Sequence, residues 1–308
     1  MVKYSHRLVA AGLRFPEGPV PLTDGSVLVV ELEAGRLTRV GPSGAKTTVA
    51  NLGGGPNGAA IGPDGRCYVC NNGGSRWHER DGRLMPGLVS NDYAGGWIES
   101  VDLGTGNATV LYRACGDVTL KGPNDIVFDL YGGFYFTDHG RLHRRTRDRG
   151  AVYYATADGT SIHEVLFPLD TPNGIGLSPD GKTLYVAETM TARLWAFEVA
   201  GPGEIITRRG GLMWEPGRLV AGLGGLRYFD SLAVDRLGRI HVSTIPGLIS
   251  VIEPTGAIAE EIAFDDEVPT NIAFGGPDLR TAFVTLSSTG RLVAYDCAVP
   301  GQPLAFSV

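Results

Sequence analysis

Residues 172–189 read P-N-G-I-G-L-S-P-D-G-K-T-L-Y-V-A-E-T. A polar residue, Asn173, leads a short apolar run, a D-G turn follows, and a second apolar run ends in polar residues. Two short apolar runs joined by a turn of this kind are typical of a β-hairpin. The stretch therefore predicts an antiparallel strand pair that begins at Asn173.

The same pattern occurs six times along the chain. Each copy has a polar lead residue, a short strand, a D-G or G-G type turn and a second strand, and the copies span 17–31, 57–71, 124–138, 173–188, 230–244 and 271–285. The interval between leads runs from 40 residues (17 to 57) to 67 residues (57 to 124). Repeats of this length with four short strands per unit are typical of a β-propeller. We therefore expect an all-β chain, residues 1–308, that forms one six-bladed β-propeller domain.

Further apolar runs supply the remaining strands, at 36–40, 46–52, 151–156, 161–167, 248–253, 257–264 and 291–299. The sixth unit lacks a clear fourth strand. Residues 6–12 are one candidate, since an amino-terminal strand would close the ring and leave no open sheet edge. Residues 304–308 are the other candidate, and the sequence does not choose between them. Two separate β-sandwiches would require a linker or a change of composition near the middle, which the sequence does not show.

Composition restricts the class of protein. The chain is 43% hydrophobic and 19% charged, and its 45 glycines among 308 residues fit many tight turns. A net charge of −6 argues against a nucleic-acid or anionic-membrane partner. No apolar run approaches a membrane span and the first seven residues lack a signal core, so we expect a cytoplasmic protein. The sequence gives no indication of oligomeric state.

Two local features invite a functional interpretation that we do not favour. Cys67 and Cys70 share a predicted strand, where positions three apart point to opposite faces and cannot easily share a metal. The arginine run at 141–149 is interpreted as a solvated loop, with a local anion site as the alternative.

The lead residues suggest a site on the propeller axis. In a propeller the first strand of each blade lines the central channel, so the leads should converge at one end of it. They are Glu17, Asn57, Asn124, Asn173, Asp230 and Asn271. A single Asn-Gly pair would be read as a turn, but two carboxylates among amide oxygens form an all-oxygen set that suits a hard divalent cation.

Other residues should border the same face. Second strands return to it, with polar ends at Glu31, Asn71, Asn72, Asp138, His139, Glu188, Thr189, Ser243, Thr244 and Ser287. The long insertion at 73–96 should lie there as a lid or pocket wall, whereas the insertion at 201–215 should lie on the opposite face. From these elements we take five candidate substrate-binding residues: Asn72, Trp77, Asn124, His139 and Tyr228.

Five motifs stand out along the chain: F-P-E-G-P at 15–19, P-N-D-I-V-F-D at 123–129, the stretch from Pro172, F-D-S-L-A-V-D at 229–235 and N-I-A-F-G-G-P-D at 271–278. On them rests a resemblance to the SMP-30/gluconolactonase/LRE family. It covers essentially the whole chain and implies a six-bladed propeller with a catalytic divalent metal, often calcium, that hydrolyses small lactones.

The resemblance also implies roles for individual positions. Glu17, Asn173 and Asp230 match metal ligands, and Asp230 also matches a catalytic residue. Asn124 matches a residue that binds metal in some relatives and substrate in others. Sugar lactonases of the mammalian type carry an arginine two residues earlier, where this chain has Gly122, so an aldonolactone substrate does not follow from the resemblance.

These observations predict a metal-dependent lactonase in which Asp230 is the general base, or alternatively the nucleophile. We interpret His139 as a hydrogen-bonding residue, with assistance to proton transfer as the alternative. Calcium is the preferred ion, and Mg²⁺, Mn²⁺, Fe²⁺ and Zn²⁺ are alternatives. The sequence has no G-x-S-x-G elbow to support a serine hydrolase. Hydrolysis of phosphotriesters or fluorophosphates, and a non-catalytic propeller that serves as a binding platform, are the alternative functions.

Overall fold

The computed structural model describes residues 5–206 and 215–308. Every regular element among them is a β-strand, and six sheets of at least four strands form the blades. Adjacent blades contact one another through their innermost strands, and the first blade contacts the sixth, so that the ring is closed. The prediction of a six-bladed β-propeller is confirmed. Among the described residues there is no helix with the length and hydropathy needed to cross a bilayer.

Blades are numbered in chain order, and the strands of each blade run from the axis to the rim. The inner strands are Pro16–Pro21, Pro56–Ile61, Pro123–Phe128, Pro172–Leu177, Tyr228–Val234 and Pro269–Gly275. The second strands are Val27–Glu31, Cys67–Asn71, Gly133–Asp138, Thr183–Glu188, Ile240–Ile245 and Thr281–Leu286. The third strands are Arg36–Val40, Trp97–Val101, Gly150–Thr156, Arg193–Gly201, Leu248–Ile252 and Arg291–Asp296.

The outer strands of blades 1, 2, 3 and 5 are Lys46–Asn51, Ala108–Tyr112, Ile162–Leu169 and Ile258–Ala263. In blade 4 two short strands, Glu204–Ile206 and Arg218–Gly222, share the edge of the third strand. Two small hairpins lie outside the blades, Ser75–Arg80 with Arg83–Val89 and Ala114–Cys115 with Val118–Thr119. We call the end of the channel where inner strands begin the ligand face, and the other end the far face.

The amino-terminal strand Arg7–Ala10 completes blade 6. It pairs antiparallel with Arg291–Asp296, and Arg7 lies opposite Ala294. The carboxy-terminal alternative is therefore wrong. The carboxy-terminal segment instead crosses the far face, where Gly301 bridges to Asp235 and the Gln302 amide donates to the Val234 carbonyl.

The apolar core lies between neighbouring blades, because each sheet buries both of its faces against the next. Between blades 2 and 3 this core is aromatic and contains Tyr68, Phe134 and Phe136. Cys67 and Cys70 belong to different clusters, on the blade 1 and blade 3 sides respectively, which confirms that they point to opposite faces. Both thiols are free.

The two insertions leave the propeller at opposite faces. The first follows the second strand of blade 2 and forms the hairpin Ser75–Val89 over the ligand face. The second begins at Gly201 on the far face, where the Tyr135 hydroxyl donates to its carbonyl. Both placements agree with the prediction, although residues 207–214 of the second insertion lie outside the described residues.

Candidate functional site at the propeller hub

All six inner strands carry a register shift at the ligand face. In blade 4, for example, Pro172 lies opposite Glu188 and Ile175 opposite Val186, so that three steps on the inner strand face two on its partner. The same irregularity occurs at the other lead residues. An extra residue of this kind takes a side chain out of the ladder and re-aims it. In blades 2 to 5 the shift leaves the lead residue out of the ladder, whereas in blades 1 and 6 Glu17 pairs with Val30 and Asn271 with Thr285.

Close approach between inner strands brings the leads of neighbouring blades together. A Cβ on Gly58 would lie 2.5 Å from the Asn124 carbonyl oxygen, and one on Gly174 would lie 2.7 Å from that of Asp230. Gly18 stands in the same relation to Asn57, at 2.6 Å. Since these distances leave no room for a side chain, glycine after the lead lets adjacent strands meet at the axis.

Asn124 and Asn173 present buried amide oxygens to the hub. Both residues are buried, and no group among residues 5–206 and 215–308 donates to Oδ1 of either one. The Asn173 amide nitrogen donates to Thr189 Oγ1 at 3.1 Å, which fixes the plane of that amide. A buried oxygen without a donor is unfavourable, so the two oxygens are suited to a cation or a substrate donor.

Glu17 and Asp230 place two carboxyl groups in the same hub. Glu17 is 3% exposed and accepts from the Asn271 side-chain amide at 3.2 Å. Burial raises the pKa of Glu17 to about 8. Asp230 is half-buried, and both the loss of solvent around it and the nearby Glu17 carboxylate raise its pKa. Among the described residues no positive side chain balances the two carboxyls, so both resist ionisation. A bound cation would offset the free energy needed to ionise them.

The structure shows a third buried carboxyl, that of Asp125, which is not among the candidate site residues taken from the sequence. It lies beside Asn124 on the channel wall and accepts from the Ile126 amide at 3.0 Å. Burial raises the pKa of Asp125 to about 7. Its position after a lead residue, where three other blades have glycine, is the signal in the sequence that could have identified it.

The hub fits a hard divalent cation. It combines two carboxylates with two amide oxygens that lack donors, which is the ligand chemistry of calcium and similar ions. In the part of the chain that the structure describes, no three His, Cys, Asp or Glu side chains cluster as a metal site. A site on these residues therefore depends on the amides of Asn124 and Asn173.

Of the predicted substrate-binding residues, His139 and Tyr228 line the ligand face and Asn124 lies in the hub. His139 is half-buried at the end of the second strand of blade 3, and loss of solvent lowers its pKa to about 4. It is therefore neutral at neutral pH. Tyr228 is half-buried at the start of the inner strand of blade 5, opposite Ile245.

Asn72 and Trp77 also make contacts within the protein. The Asn72 side-chain oxygen accepts from the Gly74 amide at 2.9 Å, which closes the turn into the insertion. The Trp77 ring lies 5.2 Å from the ring of Phe15, in a small apolar cluster at the entrance to blade 1. Through this contact with Phe15, Trp77 holds part of the hairpin over the ligand face.

In blades 1 to 4 the second strands end in side chains that hold the backbone before the inner strand. Glu31 accepts from the Arg14 amide at 2.8 Å, and Glu188 from the Asp170 amide at 2.8 Å. Asp138 accepts from both Lys121 and Gly122, and Asn71 from Gly55. We expected these strand ends to border the ligand face. The structure uses them within their own blades to fix the loops that carry the leads.

Fold and hub together define a six-bladed β-propeller with an oxygen-lined axial site. The chain belongs to the SMP-30/gluconolactonase/LRE-like family, whose sequence profile matches residues 15–288. This finding confirms the resemblance that the motifs suggested.

Relatives of known name include lactonases. The chain is 30% identical over 187 residues to lactonase drp35 of Staphylococcus epidermidis, a match that covers 59% of this chain and 50% of that protein. The chain thus spans about half the length of the drp35 lactonases it matches. It is 24% identical over 303 residues to a gluconolactonase of Zymomonas mobilis, which covers 91% of this chain and 78% of the relative.

Solved structures share the fold. The calcium-binding protein regucalcin of Agrobacterium tumefaciens aligns with a TM-score of 0.76 at 19% identity, over 99% of this chain and 100% of that one. A gluconolactonase of Xanthomonas campestris aligns with a TM-score of 0.73 at 20% identity, over 95% and 89% of the two chains. At this level of identity the likeness establishes the propeller architecture.

Proposed function

We propose that this protein is a metal-dependent hydrolase that opens the ester ring of a small lactone. The observation that carries the proposal is the hub itself, where the donor-free oxygens of Asn124 and Asn173 lie with the buried carboxyls of Glu17 and Asp230. The family and the names of the relatives supply the reaction class.

The residues that would hold the cation are Glu17, Asn124, Asn173 and Asp230. A bound divalent ion supplies Lewis acidity that polarises the lactone carbonyl and stabilises the charge that develops on its oxygen. Calcium suits the all-oxygen set best, and Mg²⁺, Mn²⁺, Fe²⁺ or Zn²⁺ are alternatives that the ligands would accept.

Asp230 is the proposed general base. The residue is half-buried at the start of its inner strand, and we place the attacking water beside its carboxylate. The water oxygen attacks the carbonyl carbon as Asp230 accepts the proton. The bond from that carbon to the ring oxygen then breaks, and Asp230 returns the proton to the departing oxygen. The product is the open hydroxy acid.

His139, Asn124 and Tyr228 are the proposed substrate-contacting residues. Because the pKa of His139 is about 4, its ring is neutral at neutral pH and can donate one hydrogen bond and accept another. That favours orientation of a lactone hydroxyl or carbonyl over proton storage. The hairpin Ser75–Val89 would limit the size of the ring that reaches the hub.

The test is a lactone panel assayed by acid release before chelation, after chelation and after return of each metal. A parallel panel of phosphotriesters separates the alternative hydrolase, which would prefer those substrates. If no metal restored activity on either panel, the result would favour a non-catalytic binding platform and contradict the proposal.

The variant Glu17→Gln tests the proposed metal site at the hub. Its matched control is Glu204→Gln, on the exposed outer edge of blade 4. We expect Glu17→Gln to weaken binding of the activating metal at least about tenfold in calorimetry, since it removes one of two charged ligands. The control should bind as the wild type does. Unchanged metal affinity in Glu17→Gln would refute the proposed hub site.

A further inference from the structure

The hairpin Ser75–Val89 is held at its base by blade 3. Arg141 Nη2 donates to the Gly74 carbonyl at 2.5 Å and to Ser75 Oγ at 2.8 Å, and the Tyr93 hydroxyl donates to the Lys121 carbonyl at 2.6 Å. Within the described residues its two strands pair with each other and with no blade. A lone two-stranded hairpin is marginally stable in water, so its position depends on what it touches.

The tip of the hairpin rests on the opposite side of the ligand face. The Leu84 amide donates to the Ser288 carbonyl at 2.8 Å, and Arg83 forms a 2.9 Å ion pair with Glu267. Phe15, Leu32, Leu84 and Val268 form a buried cluster against which Trp77 packs. We call these contacts the hairpin latch.

One member of the latch has an unusual backbone conformation. Phe15 has a φ of 57°, in the left-handed region that bulky side chains rarely occupy, and it precedes a proline. It persists there because its ring is enclosed by the latch and is 5% exposed. Pro16 and Glu17 follow directly, so the direction of this residue decides where Glu17 enters the hub.

Blade 4 provides an internal comparison. Thr171 has a φ of 53° and precedes Pro172 and Asn173, just as Phe15 precedes Pro16 and Glu17. The Met190 amide donates to Thr171 Oγ1 at 3.0 Å, from the turn that follows the second strand of the same blade. Both entrances are tied within their own blade by a backbone bond, since the Leu32 amide donates to the Phe15 carbonyl and the Thr189 amide donates to the Thr171 carbonyl. They differ in what holds the side chain, because blade 4 binds Thr171 Oγ1 itself whereas the Phe15 ring packs against the hairpin that blade 2 supplies.

We propose that the hairpin latch positions Glu17 for metal, and that Trp77 is a positioning residue for the hub. With the hairpin closed, Phe15 is kept in the left-handed conformation and Glu17 points into the channel. With the hairpin released, Phe15 relaxes and Glu17 withdraws. Metal binding in turn favours the closed hairpin, because coupling between two sites is reciprocal. This inference rests on the proposed metal role of Glu17.

The first experiment measures Ca²⁺ affinity by calorimetry in Trp77→Ala, Trp77→Phe and a control, Met85→Ala, whose side chain is 41% exposed on the same hairpin. We expect Trp77→Ala to weaken Ca²⁺ binding roughly 5- to 30-fold, Trp77→Phe to restore most of it, and the control to match the wild type. Thermal unfolding of the metal-free variants checks that each is folded. Wild-type affinity in a folded Trp77→Ala would overturn the proposal.

A second variant tests the route of the coupling. Glycine occupies positive φ without penalty, so Phe15→Gly removes the need for a latch at that residue. In this background Trp77→Ala should change Ca²⁺ affinity less than about twofold, because the two positions act through one element. Independent, additive losses would show that Trp77 does not act through Phe15.

Hydrogen exchange on the wild type needs no variant. Saturating Ca²⁺ should slow exchange of the Leu84 amide, which bonds Ser288, and should leave blade 4 amides of the outer edge unchanged. Equal exchange with and without bound Ca²⁺ would overturn the coupling and leave the metal site intact. If the wild type binds none of Ca²⁺, Mg²⁺, Mn²⁺ or Zn²⁺, the result contradicts the proposed metal-dependent function itself, and the coupling falls with it.

Discussion

The two ends of the central channel are built from the same six strands and have opposite chemistry. At the ligand face the strands begin with Glu17, Asn124, Asn173 and Asp230, whose oxygens are buried or half-buried. At the far face the same strands end in apolar side chains, and residues 301–306 of the carboxy-terminal segment lie across them. Between that segment and the hub is a cavity of about 100 Å³ with mostly apolar walls.

The two ends of the channel therefore contribute differently: the far face to the stability of the fold and the ligand face to the proposed chemistry. Apolar burial at the far face stabilises the fold, whereas carboxyls without positive partners at the ligand face destabilise it unless something binds there. Changes at the two ends should therefore alter different observables. Changes at the ligand face should affect activity and the response to metal, and changes at the far face should affect unfolding alone.

The largest effect is expected for Asp230→Asn. Loss of the proposed base should lower the rate of lactone hydrolysis by about 10²- to 10⁴-fold at saturating metal. The metal-free variant should also unfold at a higher temperature than the wild type, because the amide removes a carboxyl that Glu17 repels. Assays with metal bound and calorimetry without it check the two parts.

The control for that variant is Asp278→Asn, in an exposed turn of blade 6 on the far face. It should change neither the rate of lactone hydrolysis nor the unfolding temperature of the metal-free protein. Full activity in metal-loaded Asp230→Asn would contradict the assignment of the base.

The next effect is a pH dependence of the metal-free protein. The pKa of Glu17 is raised to about 8 and that of Asp125 to about 7, so the folded state keeps protons that the unfolded state releases. The stability that these two groups contribute is therefore fully present below about pH 4 and is lost as pH rises towards 8, with a slope of up to about 1.4 kcal/mol per pH unit for each group.

Urea unfolding of chelated protein at pH 5 and pH 8 measures this slope, and added metal should restore stability at pH 8. A metal-free protein more stable at pH 8 than at pH 5 would contradict the burial of these carboxyls.

A backbone change at the hub should have an intermediate effect. In Gly174→Ala the new Cβ would lie 2.7 Å from the Asp230 carbonyl oxygen and the Leu232 nitrogen, which cannot move aside as a side chain would. We expect a loss of about 1–3 kcal/mol in unfolding free energy together with weaker metal binding. Gly224→Ala is the control, since its Cβ would meet no described atom within 4 Å.

The smallest effect belongs to the far face. Phe306 packs edge-on against Phe128 with ring centroids 5.7 Å apart. Phe306→Ala should cost about 1–3 kcal/mol of stability and leave activity and metal affinity as in the wild type. Leu304→Ala, at a side chain 54% exposed, should change stability by less than about 0.5 kcal/mol. A loss of activity in Phe306→Ala at a temperature where it is folded would show that the two ends are coupled.

The sequence predicted the blades and the lead residues because both rest on local patterns. A strand–turn–strand run such as 172–189 needs only neighbouring residues to be recognised, and six copies along one chain imply a ring. For the fourth strand of blade 6 the sequence offered two candidates, one at each end of the chain. The strand pairing identifies the amino-terminal one.

The rest of the site depends on contacts between segments far apart in the chain. No local pattern shows that Glu31 would bind the Arg14 amide instead of lining the pocket, or that Trp77 would reach Phe15 across the ligand face. The register shifts at the leads were also not visible, because an extra residue changes the alternation of a strand only where its partner is known.

Closure of the sixth blade by Arg7–Ala10 has a consequence for biosynthesis. This strand leaves the ribosome before every strand of blades 1 to 5, and its partner, Arg291–Asp296, leaves after them, so blade 6 cannot be completed until the other five blades have been made. During that interval the amino-terminal strand must stay unpaired, and the nascent ring has an open edge on which other chains can add. Folding yield should therefore respond to chaperone supply and to translation speed.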